Sequence, residues 1–204
     1  MADRPVFSYF YSMKNSAIGE KIIKTASKLF YSNGYNATGV NEIIAKCGIA
    51  KATLYSHFNS KEDICLAYLQ QRHDAFLTSF KIYVPERKNG KEQLLAIFDF
   101  LTDMYRDGDF NGCWALKTLG ELSPNQERIF AAIQKQKKEF LSYLGEIVVN
   151  NVVNVSKAEK EKISGGLYLL YESAITESHL FKNDWPIFLS KNIAPSIFER
   201  MELV

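Results

Sequence analysis

Between Thr38 and Lys61 the chain reads TGVNEIIAKCGIAKATLYSHFNSK, an order of residues that few folds accommodate. Val40, Ile43 and Ile44 recur at helical spacing and give one apolar face. Thr38 stands where it can N-cap that helix, with Asn41 or Glu42 near the second partner of a capping box. Gly48 falls where the chain must turn sharply, because glycine alone enters left-handed backbone space without steric cost. Ile49, Leu54 and Phe58 then supply a second helix with its buried side. Asn59 interrupts the pattern, and Ser60 with Asp63 makes a box-like cap for a third helix.

A helical wheel over residues 51–58 gathers Leu54 and Phe58 on one side and turns Ala52, Tyr55 and Ser56 the opposite way, flanked by Lys51 and Thr53. The outward set is small, hydroxylic or cationic, which suits close approach to phosphates and base edges. Two short helices about a tight turn outline a helix-turn-helix, whose second helix lies in a DNA major groove. The candidate DNA contacts are Thr38, Asn41, Lys51, Ala52, Thr53, Tyr55, Ser56, His57 and Lys61. The outline alone leaves an ordinary helical hairpin open.

The stretch GVNEIIAKCGIAKATLYSHFNSKEDI also resembles the N-terminal signature of the TetR family of transcriptional repressors. Phe30, Gly34, Tyr35, Thr38, Ile43, Gly48, Ile49, Lys51, Thr53, Leu54, Tyr55, Phe58, Ser60 and Lys61 carry the resemblance, within residues 18–67. It implies an all-α fold, with an N-terminal three-helix helix-turn-helix domain and a C-terminal helical bundle. It further implies a homodimer paired through the last two helices, a double-stranded palindromic operator as partner, and release by a small-molecule effector in the C-terminal domain. Lys61 and Tyr55 then take the role of gripping the DNA backbone. Two departures stand out. Ala50 occupies a position where the family usually has Ser, so the recognition helix lacks a good N-cap, and the segment before the first helix is less basic than in many relatives.

The charge distribution agrees with a nucleic-acid partner. The chain carries +2, but residues 14–61 hold seven lysines against two glutamates, a local +5, which leaves −3 for residues 62–204. A basic module on a mildly acidic body is the balance expected where one end meets a polyanion. Hydrophobic content of 47% and aromatic content of 13% describe an ordered globular chain. Cys47, Cys65 and Cys113 have no metal-like spacing and make no disulfide framework, which points to a reducing cytoplasm. No apolar run reaches the roughly 18 residues of a membrane span, so no membrane partner is expected. His57, His73 and His179 are scattered, and no P-loop, GxSxG, HExxH or dinucleotide fingerprint occurs. The reading is therefore not an enzyme, with no cofactor and no metal.

Along the chain we expect an N-terminal extension at 1–15, the helix-turn-helix domain at 16–62, and a ligand-binding and dimerisation domain at 63–204, about nine helices in all. The extension is aromatic, with Phe7, Tyr9, Phe10 and Tyr11. The first helix is expected over 18–32, closed by Asn33 and Gly34, and a long fourth helix from Ser60 to about Phe80. That helix should pack Ile64, Ala67 and Tyr68 on the helix-turn-helix and give Ala75, Phe76 and Phe80 to the body. Helices follow over 93–105 and 113–122, then a long one with Pro124 in its first turn, one over 157–181, and a last from Trp185 to about Met201.

Bundles place pockets between facing helices. Candidate ligand-binding residues are the aromatic walls Phe98, Tyr105, Trp114, Phe140, Tyr168 and Tyr171 and the polar anchors Glu172 and His179. A plainly packed core is the alternative for each. DFNGCWALKTLGEL resembles the C-terminal domains of one TetR subgroup, in which a Gly-Cys pair opens a short helix. Cys113 near a helix N-terminus is a candidate reactive thiol. Gly165, Gly166, Leu169, Leu170, Ile175, Ile187, Phe188, Ile193 and Ile197 are the expected dimer surface. Two readings stay open beside the ligand-released repressor: a helical interaction protein without DNA binding, and a thiol-based sensor regulator using Cys113.

Overall fold

The first helix begins where Ser16 can cap it: its Oγ accepts a hydrogen bond from the Gly19 N–H at 2.9 Å. A computed structural model describes residues 16–204; the aromatic extension 1–15 lies outside them. The helices are α1 (Ala17–Asn33), α2 (Val40–Cys47), α3 (Lys51–His57), α4 (Lys61–Tyr83), α5 (Lys91–Arg106), α6 (Trp114–Gly120), α7 (Glu127–Asn151), α8 (Lys157–Phe181) and α9 (Trp185–Ile193). Short 3₁₀ turns cover Val84–Glu86 and Ala194–Ile197. Among the described residues there is no β-strand, only an isolated bridge between Val152 and Leu203. The fold is all-α, as the sequence leads one to expect.

The chain forms two compact units. Among the described residues, one takes 16–73 together with Trp114–Ile133; the other holds Asp74–Cys113 and Gln134–Val204. The sequence reading draws its boundary at residue 62, whereas this division falls inside α4. The first turns of α4 bury Ile64, Cys65, Tyr68 and Leu69, so those turns complete the core begun by Ile22, Ala26 and Phe30 of α1. Phe30 stacks at tilted angles on Tyr35 and Tyr68, with ring centroids 5.6 and 5.5 Å away.

The second unit is built around aromatic rings. Phe80 of α4 meets Phe76, Phe100, Phe140 and Tyr143 at centroid distances of 5.1–5.8 Å. Leu94, Ile97, Phe98 and Leu101 of α5 are fully buried, and α9 packs on α8 and α5. The buried Asn151 side chain accepts from the Gly90 N–H at 2.6 Å and donates to the Ile147 carbonyl at 2.7 Å. Its backbone carbonyl receives the Val204 N–H at 3.2 Å, which fastens the chain end.

Several expected boundaries move. α7 starts at Glu127, after a turn in which Gln126 Oε1 accepts from the Ser123 N–H at 2.8 Å; Pro124 belongs to that turn, not to the helix. The last helix stops at Ile193, well short of Met201, and continues as a 3₁₀ turn. Pro195 lacks the N–H that the next helical bond requires, and its ring crowds the preceding turn. Ala75, Phe76 and Phe80 fall in the second unit as expected, with Phe80 buried and Ala75 exposed. Among the described residues no helix is long and apolar enough to cross a membrane.

Candidate nucleic-acid interface

α2 buries Ile43 and Cys47 and ends at Gly48, whose φ of 63° and ψ of 41° place it in the left-handed region. The Gly48 and Ile49 N–H groups return to the Ala45 and Ile44 carbonyls, which closes the turn. α3 follows with Leu54 and Phe58 buried at 0% and 3% exposure. Ala52 and Ser56 are exposed, and Tyr55 is 44% exposed. The apolar anchors therefore fix the helix and leave the expected outward face free. Lys51 and Asn41 are also exposed, while Thr53 and His57 are half-buried. Ala50 is the N-cap of α3 and makes no side-chain cap bond, in line with the missing hydroxyl.

Thr38 corrects the sequence reading. Gly39, not Thr38, is the N-cap of α2. The Thr38 side chain is fully buried, and its hydroxyl donates to the Gly34 carbonyl at 2.8 Å. A hydroxyl committed inside the turn cannot meet a duplex, so Thr38 holds the turn and leaves the candidate surface. Asp63 also differs from expectation. Ser60 Oγ caps α4 by accepting from the Asp63 N–H at 3.1 Å, but the Asp63 carboxylate pairs with Arg128 at 3.0 Å.

Lys61 opens α4, and its ammonium lies 4.4 Å over the Tyr35 ring and 3.5 Å from the Asn36 carbonyl. Burial lowers its pKa below the ordinary lysine value, and the charges of Cys65 and Glu121 oppose the shift. Tyr35 goes the other way. Burial first, then Cys65 and Glu62, pushes its phenol up to about 12.

Residues 117–128 brace this unit from far along the chain. Glu121 Oε2 accepts from the Asn36 N–H at 2.6 Å, and the Glu121 carbonyl accepts from Asn36 Nδ2 at 2.8 Å. Lys117 Nζ donates to the Tyr31 carbonyl at 2.9 Å, and Gln126 Nε2 to the Tyr35 hydroxyl at 2.9 Å. Gly34, which closes α1, has a φ of 98°, and any Cβ there would collide with the Glu121 carboxylate. Sequence reasoning missed Glu121, Lys117, Gln126 and Arg128, because partners 65–91 residues apart leave no local signal.

The candidate ligand residues divide. Phe140, Tyr168, Tyr171 and Glu172 come together in the second unit, where Phe140 lies 6.1 Å from Tyr168 and 5.2 Å from Tyr171. Tyr105 and His179 both flank Phe110, at 5.0 and 6.5 Å. Phe98 is a fully buried core residue. Trp114 belongs to the first unit. Glu172 is not a free anchor: both its oxygens accept from Lys137 Nζ, at 2.6 and 2.7 Å.

A capless recognition helix exposing small, hydroxylic and cationic side chains, set after the Gly48 turn in the first unit, has the form of a helix-turn-helix DNA-binding regulator. Residues 22–68 match the family model described as bacterial regulatory proteins, tetR family. QacR, an HTH-type transcriptional regulator of Staphylococcus aureus, is 26% identical over 189 residues, covering 84% of this chain and 96% of that protein. An uncharacterised HTH-type regulator of Lactococcus lactis is 27% identical over 176 residues, covering 78% of this chain and 85% of its own length. The structure of SCO4454, a TetR-family regulator of Streptomyces coelicolor, shares the fold with a TM-score of 0.81 at 22% identity, over 91% of this chain and 90% of that one. Residues 22–68 therefore carry the N-terminal domain of the tetR family of bacterial regulatory proteins, and over most of its length the chain is similar to HTH-type transcriptional regulators.

Proposed function

We propose that this protein is a homodimeric repressor that binds a palindromic operator and is released by a small-molecule effector held in its second unit. The observation that carries the reading is the α3 face: Ala52, Tyr55 and Ser56 stand in solvent while Leu54 and Phe58 are locked inside. Asn41, Lys51, Thr53, His57 and Lys61 complete the contact set. Tyr55 and Lys61 hold phosphates; Lys51 and Thr53 read base edges. The Lys61 ammonium, resting on the Asn36 carbonyl and the Tyr35 ring, exchanges those partners for a phosphate. Its setting at the first turn of α4 favours an anion there.

Pairing through α8 and α9 is supported by apolar side chains left in solvent. Leu169, Leu180 and Phe181 of α8 and Trp185, Phe188, Leu189 and Ile193 of α9 are each at least 44% exposed. Among the residues named from sequence, Leu169, Phe188 and Ile193 fit this surface. Ile175 and Ile187 are buried within the protomer, and Gly166 packs against Ile197. A two-fold dimer presents two α3 helices to half-sites one DNA turn or a multiple apart. Such a regulator works in the cytoplasm, beside its DNA.

The effector acts only through a difference in affinity for the two states of the dimer. A thousandfold loss of operator affinity requires about 4 kcal/mol of coupling, above the usual 1–3. Selection of bound sequences from random duplexes tests the reading. Recovery of inverted half-sites carrying two protomers supports it, and recovery of no common sequence overturns it. Variants at Lys51 or Thr53 should alter the selected bases. A reporter fused to the recovered site separates repression from activation.

A further inference from the structure

Cys113 is 6% exposed, and Lys137 Nζ lies 3.3 Å from its sulfur. The same ammonium donates to both oxygens of Glu172, so the carboxylate holds the cation against the thiol. Electrostatics reinforce that placement: burial alone would lower the Lys137 pKa, but Cys113 and Glu172 raise it overall. A second, separate feature lies in the same neighbourhood. The Tyr171 side chain is 2% exposed, its hydroxyl has no hydrogen-bond partner, and Glu172 and Cys113 both lie near enough to act on it. A buried phenol without an acceptor is a costly arrangement unless something it can donate to arrives. Nucleophile and cation are thus in contact, and the unused donor lies near them on Tyr171, whose ring packs with Phe140, itself beside Tyr168.

We propose that Cys113 is a covalent attachment site for small uncharged α,β-unsaturated carbonyl compounds, with Lys137 holding the sulfur's charge, Glu172 positioning Lys137, and Tyr171 donating to the carbonyl oxygen. The S–H bond breaks and its proton passes to solvent. The sulfur electron pair forms a bond to the β-carbon, and the C=C π pair moves to the enolate. A solvent proton then returns to the α-carbon, so the product carries the whole mass of the electrophile and no oxidant or reductant enters. The class follows from the surroundings: a charged reagent would lose its hydration among rings, whereas a small neutral enone keeps a carbonyl for Tyr171 to meet. After addition Lys137 keeps Glu172 but loses the Cys113 thiol as a partner, which alters the surroundings of the tie between α7 and α8. The consequence for the operator rests on the effector reading above; the chemistry at Cys113 does not.

The test is intact-mass spectrometry of the full folded chain with a limiting amount of methyl vinyl ketone at neutral pH, followed by peptide mapping. Cys113 should react faster than free cysteine, with Cys47 and Cys65 unmodified. Lys137→Gln should slow it by about tenfold, the worth of one charge-assisted hydrogen bond, and Lys137→Arg should keep most of the rate. Reaction of Cys113 no faster than free cysteine overturns the proposal in the wild-type chain alone, whatever the fate of the variants. An unchanged rate in a folded Lys137→Gln chain overturns the role of the cation. Duplex binding is then measured separately on the modified protein: retained binding removes only the regulatory consequence.

Discussion

Lys61 and Tyr35 share one small neighbourhood yet answer to different tests. Lys61→Ala should weaken binding to every duplex by a similar factor and reduce the slope of log affinity against log salt by about 1. Fluorescence anisotropy across a salt series checks this, and an unchanged slope removes Lys61 from the contact set. Tyr35 predicts a pH effect. Its pKa is raised from 10.0 to about 12, and that of Cys65 from 9.0 to about 12, chiefly by burial. A group whose folded pKa lies above its unfolded value stabilises fully below the unfolded value and ceases to do so as pH rises through the folded one. Stability against urea should therefore hold to about pH 9 and fall toward pH 12. Tyr35→Phe should soften that fall while costing about 1 kcal/mol for the lost Gln126 bond. At this scale the sequence revealed what depends on near neighbours. Gly48 in its turn and Ser60 at its cap were both legible, since each acts within three or four residues. Thr38 and Asp63 were not, because a carbonyl behind one and Arg128 far along the chain claimed their side chains.

α3 has seven residues and no side-chain cap. Its position depends on Leu54 and Phe58, not on its own helical stability. Ala50→Ser should supply the absent acceptor and raise stability by about 1 kcal/mol, read from the urea midpoint; the backbone at Ala50 is already extended, with φ −72° and ψ 151°. No gain would mean that the first turn is satisfied without it. The start of α8 at 157 agrees with the sequence reading, and a capping box between Ser156 and Glu159 fixes it there. Expected boundaries failed at prolines. Pro124 sits before a helix it was expected to enter, and Pro195 ends one it was expected to ride within. Proline fits a first turn and a preceding turn equally well, so only the neighbouring side-chain bonds, such as those of Gln126, decide between them.

For the molecule as a whole, the all-α class and the helix-turn-helix could be read directly, but the assignment of residues 114–133 to the first unit could not. Their bonds to Tyr31, Tyr35 and Asn36 form only once the chain has folded back. The proposed dimer makes its own prediction. Leu169→Glu and Phe188→Glu place charges on side chains already in solvent in the protomer, so each should fold normally, sediment as a monomer, and lose operator affinity by at least about tenfold. A dimer that persists in both variants would move the interface elsewhere.

The most direct measurement is a titration of the wild-type protein into a labelled random duplex as salt is raised from about 50 to about 200 mM. Binding that is firm at the lower salt and falls linearly on logarithmic axes is the result a phosphate-gripping helix-turn-helix predicts. Absence of binding at low salt, or binding indifferent to salt, would contradict it.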